Sequence, residues 1–266
     1  MAGLVNRNSQ NYRIIFIIPM YNEVNNIKKV LIELFEIFES SQALVIDDAS
    51  TDSSLYEVKS LSARNVLIVE NQINLGHGRS LIKGLKRSFE IPDWDILITF
   101  DSDANFYLRD LEELFEEFIS SDVDVLESVR VNRGDLWFRK WASFATRFLV
   151  RSATGSSTQD ANTPVRIYSR EVIEKLIDII PKRAQKLPNV YFSIITRLTN
   201  WKYMSAELKE SIRQGNSISG STWKQKKASI PSHRYLIFCL KEVLNFPLNV
   251  LKIKTKIKRL HEGSKS

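Results

Sequence analysis

The chain has 266 residues, 43% of them hydrophobic and 26% charged, with a formal net charge of +7 and a single cysteine, Cys239. That length buries a core without covalent staples, and one cysteine excludes an internal disulfide, which suits a reducing compartment. No run reaches the roughly 20 apolar residues of a membrane-spanning helix, and the polar start, residues 1–12, lacks the apolar centre of a secretory signal.

A cytoplasmic protein is therefore predicted, and its positive charge asks for an anionic partner: a phosphorylated substrate, an acidic membrane or nucleic acid. Residues 13–18 (RIIFII), ended by Pro19, read as a buried strand. Asn22 or Asn25 can cap a helix in which Ile27, Val30, Leu31, Leu34, Phe35 and Phe38 recur at helical spacing. A second strand, Ala43–Ile46, stops at Asp47-Asp48, and a helix around Ser53–Ser62 follows. A third strand covers Val66–Val69. A glycine-containing loop, Asn74–Gly78, leads into a helix over Ser80–Phe89, and a fourth strand, Ile96–Phe100, ends at Asp101. Strands alternating with helices predict βαβ units and a mainly parallel α/β sheet. Ligands bind beyond the carboxyl ends of such strands, where Tyr21-Asn22-Glu23, Asp47-Asp48 and Asp101-Ser102-Asp103 stand.

After Val125 basic and aromatic residues interleave, and Leu136–Val150 reads as an amphipathic helix carrying Trp137, Trp141, Phe144, Arg139 and Arg147. Its aromatics suit a lipid chain, with a packed core as the alternative. Pro231–Leu260 reads as an amphipathic surface helix running into a polybasic stretch, or as a solvated tail.

Asp101-Ser-Asp103 can aim two hard oxygen ligands at one Mg²⁺ or Mn²⁺, which would neutralise charge growing on a nucleoside diphosphate leaving group. Alone, such a pair equally suits solvated loop acids, and Asp52 suits a helix cap. Gly76 and Gly78 let backbone approach a ligand, Arg79 and Lys83 can offer charge to a nucleotide, and His77 reads as a loop residue.

The order Pro19-Met-Tyr21-Asn22-Glu23, Asp47-Asp48-Ala-Ser-Thr-Asp52, Asn74-Leu-Gly76-His-Gly78-Arg79, then Asp101-Ser102-Asp103 resembles the inverting family 2 glycosyltransferases of GT-A fold. The resemblance covers roughly residues 13–220. It implies a catalytic domain over 13–222, preceded by the polar segment 1–12 and followed by a basic amphipathic extension over 223–266. It also implies that Pro19, Tyr21, Glu23 and Asp48 seat the nucleoside of a UDP- or GDP-sugar, with Ser102 beside them. Asp101 and Asp103 would hold donor phosphate and metal.

Within that family the chain is most similar to the dolichyl- and polyprenyl-phosphate glycosyltransferases. Asn105 falls where they place a third metal-shell residue. Arg130, Arg139, Ser143, Arg213 and Ser217 fall on their phosphate-binding positions, and Asp160 and Arg166 match an Asp/Arg pair six residues apart. An acceptor phosphate arrives ionised and needs guanidinium forks rather than a strong base. Departures are Thr163-Pro164-Val165-Arg166 where the family carries Ser-Gly-Phe-Arg, and Asn189–Ser193 where a later helix carries an acid. The alternatives are transfer to a saccharide hydroxyl, with Asp160 as base, and a non-catalytic nucleotide-binding protein. The membrane is expected to be met through the basic C-terminal segment. No nucleic-acid module is visible.

Overall fold

The computed structural model describes residues 12–61, 65–104, 106–131, 137–209 and 233–263, without the side chains of 137–139, 234, 235 and 263. The first half follows the predicted alternation. It runs β1 (Ile14–Met20), α1 (Ile27–Ile37), β2 (Gln42–Asp47), α2 (Ser54–Lys59), β3 (Val66–Glu70), α3 (His77–Arg87) and β4 (Ile96–Thr99). The second half adds α4 (Leu108–Ser120), β5 (Val125–Val131), α5 (Trp137–Thr154), β6 (Arg166–Ser169), α6 (Arg170–Ile179), α7 (Pro188–Leu198), β7 (Tyr203–Lys209) and α8 (His233–Gly263).

All seven strands form one sheet in the order β3-β2-β1-β4-β6-β5-β7. β1, β2, β3 and β4 pair in parallel, as do β5 and β7, while β6 runs antiparallel to β4 and to β5. Every residue of β1 is buried because helices cover both faces, the reason its sequence is a continuous apolar run. Alternation along the strand sorts the two layers. Ile15 and Ile17 pack with Leu81, Leu85, Ile173 and Phe192 on one face, and Phe16 and Ile18 with Leu31, Leu34 and Phe115 on the other. α8 joins the first layer through Phe246, Val250, Ile253 and Ile257.

Two local expectations change. α1 is preceded by Asn26, which makes no side-chain cap, and not by Asn22 or Asn25. Asn22 sits at φ 56° in the turn after β1, its side chain used elsewhere. α3 starts three residues earlier than its apolar periodicity implies, because Gly76 at φ 87° turns the chain directly into the helix.

Candidate active site

The turns after β1 and β2 are knitted together. The Asn22 backbone N–H donates to Ser50 Oγ (3.0 Å), and the Asn22 side-chain Oδ1 accepts from Thr51 N (2.8 Å). Glu23 N donates to Ser54 Oγ (2.7 Å), and Glu23 Oε2 accepts from Asn26 Nδ2 (2.8 Å). Asp52 closes the second turn by accepting from Ser54 N (2.9 Å), but the residue at the start of α2 is Ser53, which makes no side-chain cap, so Asp52 is not the helix cap expected of it. Pro19 is buried within β1, Tyr21 is half-buried at its end, and Glu23 is buried.

Asp48 does not project into solvent. Its Oδ1 accepts from Asn71 Nδ2 and Leu75 N, and its Oδ2 from Gly76 N, each at 2.8 Å. Asn71 also accepts from Lys83 Nζ (2.6 Å). Two of the residues expected at the nucleotide, Asp48 and Lys83, are thus linked through Asn71, and together they set the shape of the loop that carries Gly76. Its neighbour Asp47 is buried with both oxygens 3.3 Å from Ser50 N, and burial pushes its carboxyl above the usual range. Gly76 has open space where a Cβ would stand, as a ligand-approach role needs. At Gly78, by contrast, a Cβ would lie 2.5 Å from Gln185 O and 2.6 Å from Pro188 Cδ. Its missing side chain lets protein, not ligand, come close.

Beyond β4, Phe100 and Ser102 are buried while Asp101 and Asp103 are partly exposed, in a turn that places Ala104 at φ 35°. His77, the first residue of α3, brings Nε2 to 3.5 Å from Asp101 Oδ1. Among the described residues no three His, Cys, Asp or Glu side chains gather as a self-sufficient metal cage. Two carboxylate residues separated by one residue nevertheless fit Mg²⁺ or Mn²⁺ as those ions bind nucleotides, with one or two protein carboxylates and the rest of the shell from phosphate oxygens and water.

A cavity of about 560 Å³ opens beside this turn. The first turn of α3, including Gly76, His77 and Arg79, forms one side, and Ser143 and Thr146 of α5 another. Arg130 at the end of β5, Asp160, Asn189 at the start of α7, and Phe238 and Cys239 of α8 complete it. Asp101 and Asp103 do not line it; His77 lines it and reaches Asp101. Arg130 is clamped by Asp160, with Nε to Oδ2 at 2.7 Å and Nη2 to Oδ1 at 3.1 Å, and Nη2 also reaches Asn162 O (3.0 Å). Asp160, the candidate base of the hydroxyl-acceptor alternative, therefore has both oxygens committed to a guanidinium.

Arg166 is fully buried and does not line this cavity. It donates to Glu127 Oε1 (2.6 Å), Ser193 Oγ (2.7 Å) and Asn189 O (3.0 Å), while Arg197 Nη1 lies 2.9 Å from Glu127 Oε2. Burial would raise the Glu127 carboxyl, but the two guanidinium groups overcome this and hold it below the usual range. This network fixes α7 against β5 and β6, and so fixes Asn189, which is 5% exposed and whose Oδ1 has no hydrogen-bond partner.

Asn105, Arg213, Ser217 and the side chain of Arg139 lie outside the described residues. Sequence reasoning missed His77, Glu127, Arg197, Phe238 and Cys239. The usable signal was a glutamate inside the apolar run of β5, which demands buried cationic partners.

The family model described as glycosyl transferase family 2 matches residues 15–177, more than half of the chain. Undecaprenyl-phosphate 4-deoxy-4-formamido-L-arabinose transferase of Pectobacterium atrosepticum is 29% identical over 168 residues, 60% of this chain and 50% of that protein. The chain thus spans about half the length of that curated relative. Among solved structures, glucosyl-3-phosphoglycerate synthase from Mycobacterium tuberculosis, in complex with Mn²⁺, UDP and phosphoglyceric acid, has a TM-score of 0.65 at 16% identity, covering 92% of this chain and 81% of that one. The mannosyltransferase PcManGT from Pyrobaculum calidifontis, in complex with GDP-Man and Mn²⁺, has a TM-score of 0.53 at 19% identity, covering 77% and 58%. These likenesses establish the GT-A fold. With the family model spanning the parallel strands and the acidic turns at their ends, the chain belongs to glycosyl transferase family 2.

Proposed function

We propose that the enzyme transfers a sugar from a UDP- or GDP-sugar to a polyprenyl phosphate, with inversion at the anomeric carbon. The observation that carries this reading is the cavity, where Arg79, Arg130 and Lys186 stand beside apolar walls such as Phe238 and Leu187, one imidazole away from the acidic turn after β4. Cations beside apolar walls suit a ligand with a phosphate head and a hydrocarbon chain. The Pectobacterium relative, by its name, acts on undecaprenyl phosphate.

In this reading Pro19, Tyr21 and Glu23 seat the nucleoside, and Asp48 shapes the loop whose Gly76 and Arg79 face the diphosphate, with Lys83 and Ser102 in support. Asp101 and Asp103, with Asn105, would hold Mg²⁺ or Mn²⁺, which supplies charge neutralisation at the departing diphosphate. Arg130, Arg139, Ser143, Arg213 and Ser217 would bind the acceptor phosphate and offset the repulsion between two anions. One acceptor oxygen then forms a bond to the anomeric carbon as the bond to the donor diphosphate breaks on the opposite face. The acceptor is already ionised, so no residue has to take a proton. Residues 13–222 are the proposed catalytic domain, with the extension over 223–266 closing its cavity through α8. A peripheral position on the cytoplasmic face of a membrane, with the basic C-terminal segment turned to it, belongs to the same reading.

The test is a panel of radiolabelled UDP- and GDP-sugars with polyprenyl phosphate and Mn²⁺ or Mg²⁺. Label in the organic phase is the expected result. Label only in water-soluble oligosaccharide would favour the hydroxyl acceptor. Metal-dependent nucleotide binding without turnover on any acceptor would favour a non-catalytic protein. Binding itself is read by melting temperature: free nucleotide at a hundredfold its Kd, with Mn²⁺, stabilises the native state by about 2.7 kcal/mol.

A further inference from the structure

The helices that wall the cavity carry apolar side chains on their opposite faces. α5 contributes Ser143 and Thr146 to the cavity, yet Trp141, Phe144 and Phe148 are exposed at 66%, 56% and 63%. Their spacing of three and four residues puts them on one stripe. α8 contributes Phe238 and Cys239 to the cavity and packs Phe246, Val250 and Ile253 into the core. On its other side Leu236, Leu240, Leu244, Leu248 and Leu251 form a ladder, each 52–68% exposed. An exposed leucine ladder and an exposed aromatic stripe, on two helices that wall the same cavity, are far more apolar surface than scattered exposed residues, and mark an interaction face.

Charge says what the face meets. Lys140, Arg147 and Arg151 on α5, and Lys241, Lys252, Lys254, Lys256, Lys258 and Arg259 on α8, are exposed, whereas Glu262 is the only exposed acid on the two helices among the described residues. Two copies docked through this face would press like charges together, and an anionic lipid leaflet would complement them. Among the described residues no helix is long and apolar enough to cross a membrane. A helix apolar on one side, basic at its flank and packed to a domain on the other lies in the plane of the interface.

We propose that the outer faces of α5 and α8 form one lipid-docking surface that sinks shallowly into an anionic leaflet on either side of the cavity, so that the acceptor phosphate enters from the leaflet itself. This deepens the polyprenyl-phosphate reading and rests on it for the acceptor. The leucine ladder, rather than the polybasic stretch beyond it, is the main anchor. Binding should therefore persist in salt that screens the lysines, because apolar insertion is not screened.

The full chain is floated with phosphatidylcholine vesicles, with and without phosphatidylglycerol, at low and high salt. Binding to the anionic vesicles is expected, with partial retention at high salt. Leu240→Glu/Leu244→Glu should lower the partition coefficient by about tenfold or more with unchanged nucleotide-dependent melting. Trp141→Ser/Phe144→Ser gives an independent reading on exposed α5 positions should the α8 variant fail to fold. Wild type that stays in solution, or variants that bind like wild type, would overturn the proposal. A concentration-dependent dimer abolished by the leucine substitutions would assign the face to a second copy and overturn it too. Vesicle binding in an enzyme that makes no lipid-linked product would sink the acceptor reading alone and leave the docking surface standing.

Discussion

The two halves of the sheet hold their functional groups by different means. On the parallel side, β3-β2-β1-β4, polar side chains at the strand ends are tied within their own turn or to the turn of the adjacent strand. Asn22 bonds Ser50 and Thr51, Asp52 bonds Ser54, and Asp48 wraps the Asn71–Gly76 loop around its two oxygens. On the mixed side, β6-β5-β7, the supports are ion pairs between residues far apart in the chain: Arg130 with Asp160, and Glu127 with Arg166 and Arg197. A turn tied locally can change ligand contacts without disturbing the core. A buried ion network cannot lose a member without leaving an uncompensated charge. Nucleotide-side variants should therefore lose activity and stay folded, while network variants should lose both.

The sharpest break is Asp103→Ala. If Asp101 and Asp103 share a cation at the leaving diphosphate, kcat should fall by about a thousandfold or more, roughly 4 kcal/mol of transition-state stabilisation, with little change in melting temperature. Activity within tenfold of wild type would remove the metal assignment.

Next in size is Glu127→Gln. Two guanidinium groups remain buried opposite a neutral amide, costing about 3 kcal/mol of stability, the lower end for a broken buried pair because the amide oxygen still accepts a hydrogen bond. The pH dependence has a definite sign. The Glu127 carboxyl is depressed in the folded state, so its stabilisation is present above the ordinary glutamate range and is lost as pH falls through the folded value. Wild type should lose stability toward acid more steeply than the variant. Parallel acid-melting curves would show that the network does not carry the mixed half.

Asp160→Asn sharpens the contrast between acceptor chemistries. As an orienter of Arg130, Asp160 should be worth about tenfold, seen mainly as a raised KM for the phosphate acceptor. As a general base it should be worth about a hundredfold or more in kcat. A collapse of kcat with unchanged KM would point to a hydroxyl acceptor.

Legibility in the sequence follows the same division. The first four strands were read to within about two residues, because each is an apolar run stopped by proline or acids, and the acidic turns appeared in order beside them. The supports on the mixed side were not legible, since β6 has only four residues and Arg166 finds Glu127 across 39 positions. Arg166 matched a family position six residues after Asp160, with no role attached, and lies buried in the core. His77 was passed over as loop because nothing local shows that α3 aims it at Asp101. Phe238 and Cys239 reach the cavity only through the packing of a distant helix.

The smallest expected effect tests the division most finely. In Asp48→Asn the amide oxygen can still accept from one of the two backbone N–H groups of Leu75 and Gly76, but its NH₂ now faces the other donor. One charge-assisted bond is lost, about 1 kcal/mol, and it is lost from a loop rather than from the core. Melting temperature should fall by a few degrees at most. The effect should instead appear as about fivefold weaker nucleotide binding, because Gly76 and Arg79 shift where the proposal places the diphosphate. If Asp48 contacted the nucleoside directly, the variant would discriminate between bases, changing UDP and GDP affinities unequally. An equal loss for both nucleotides is the outcome a loop-shaping carboxylate requires.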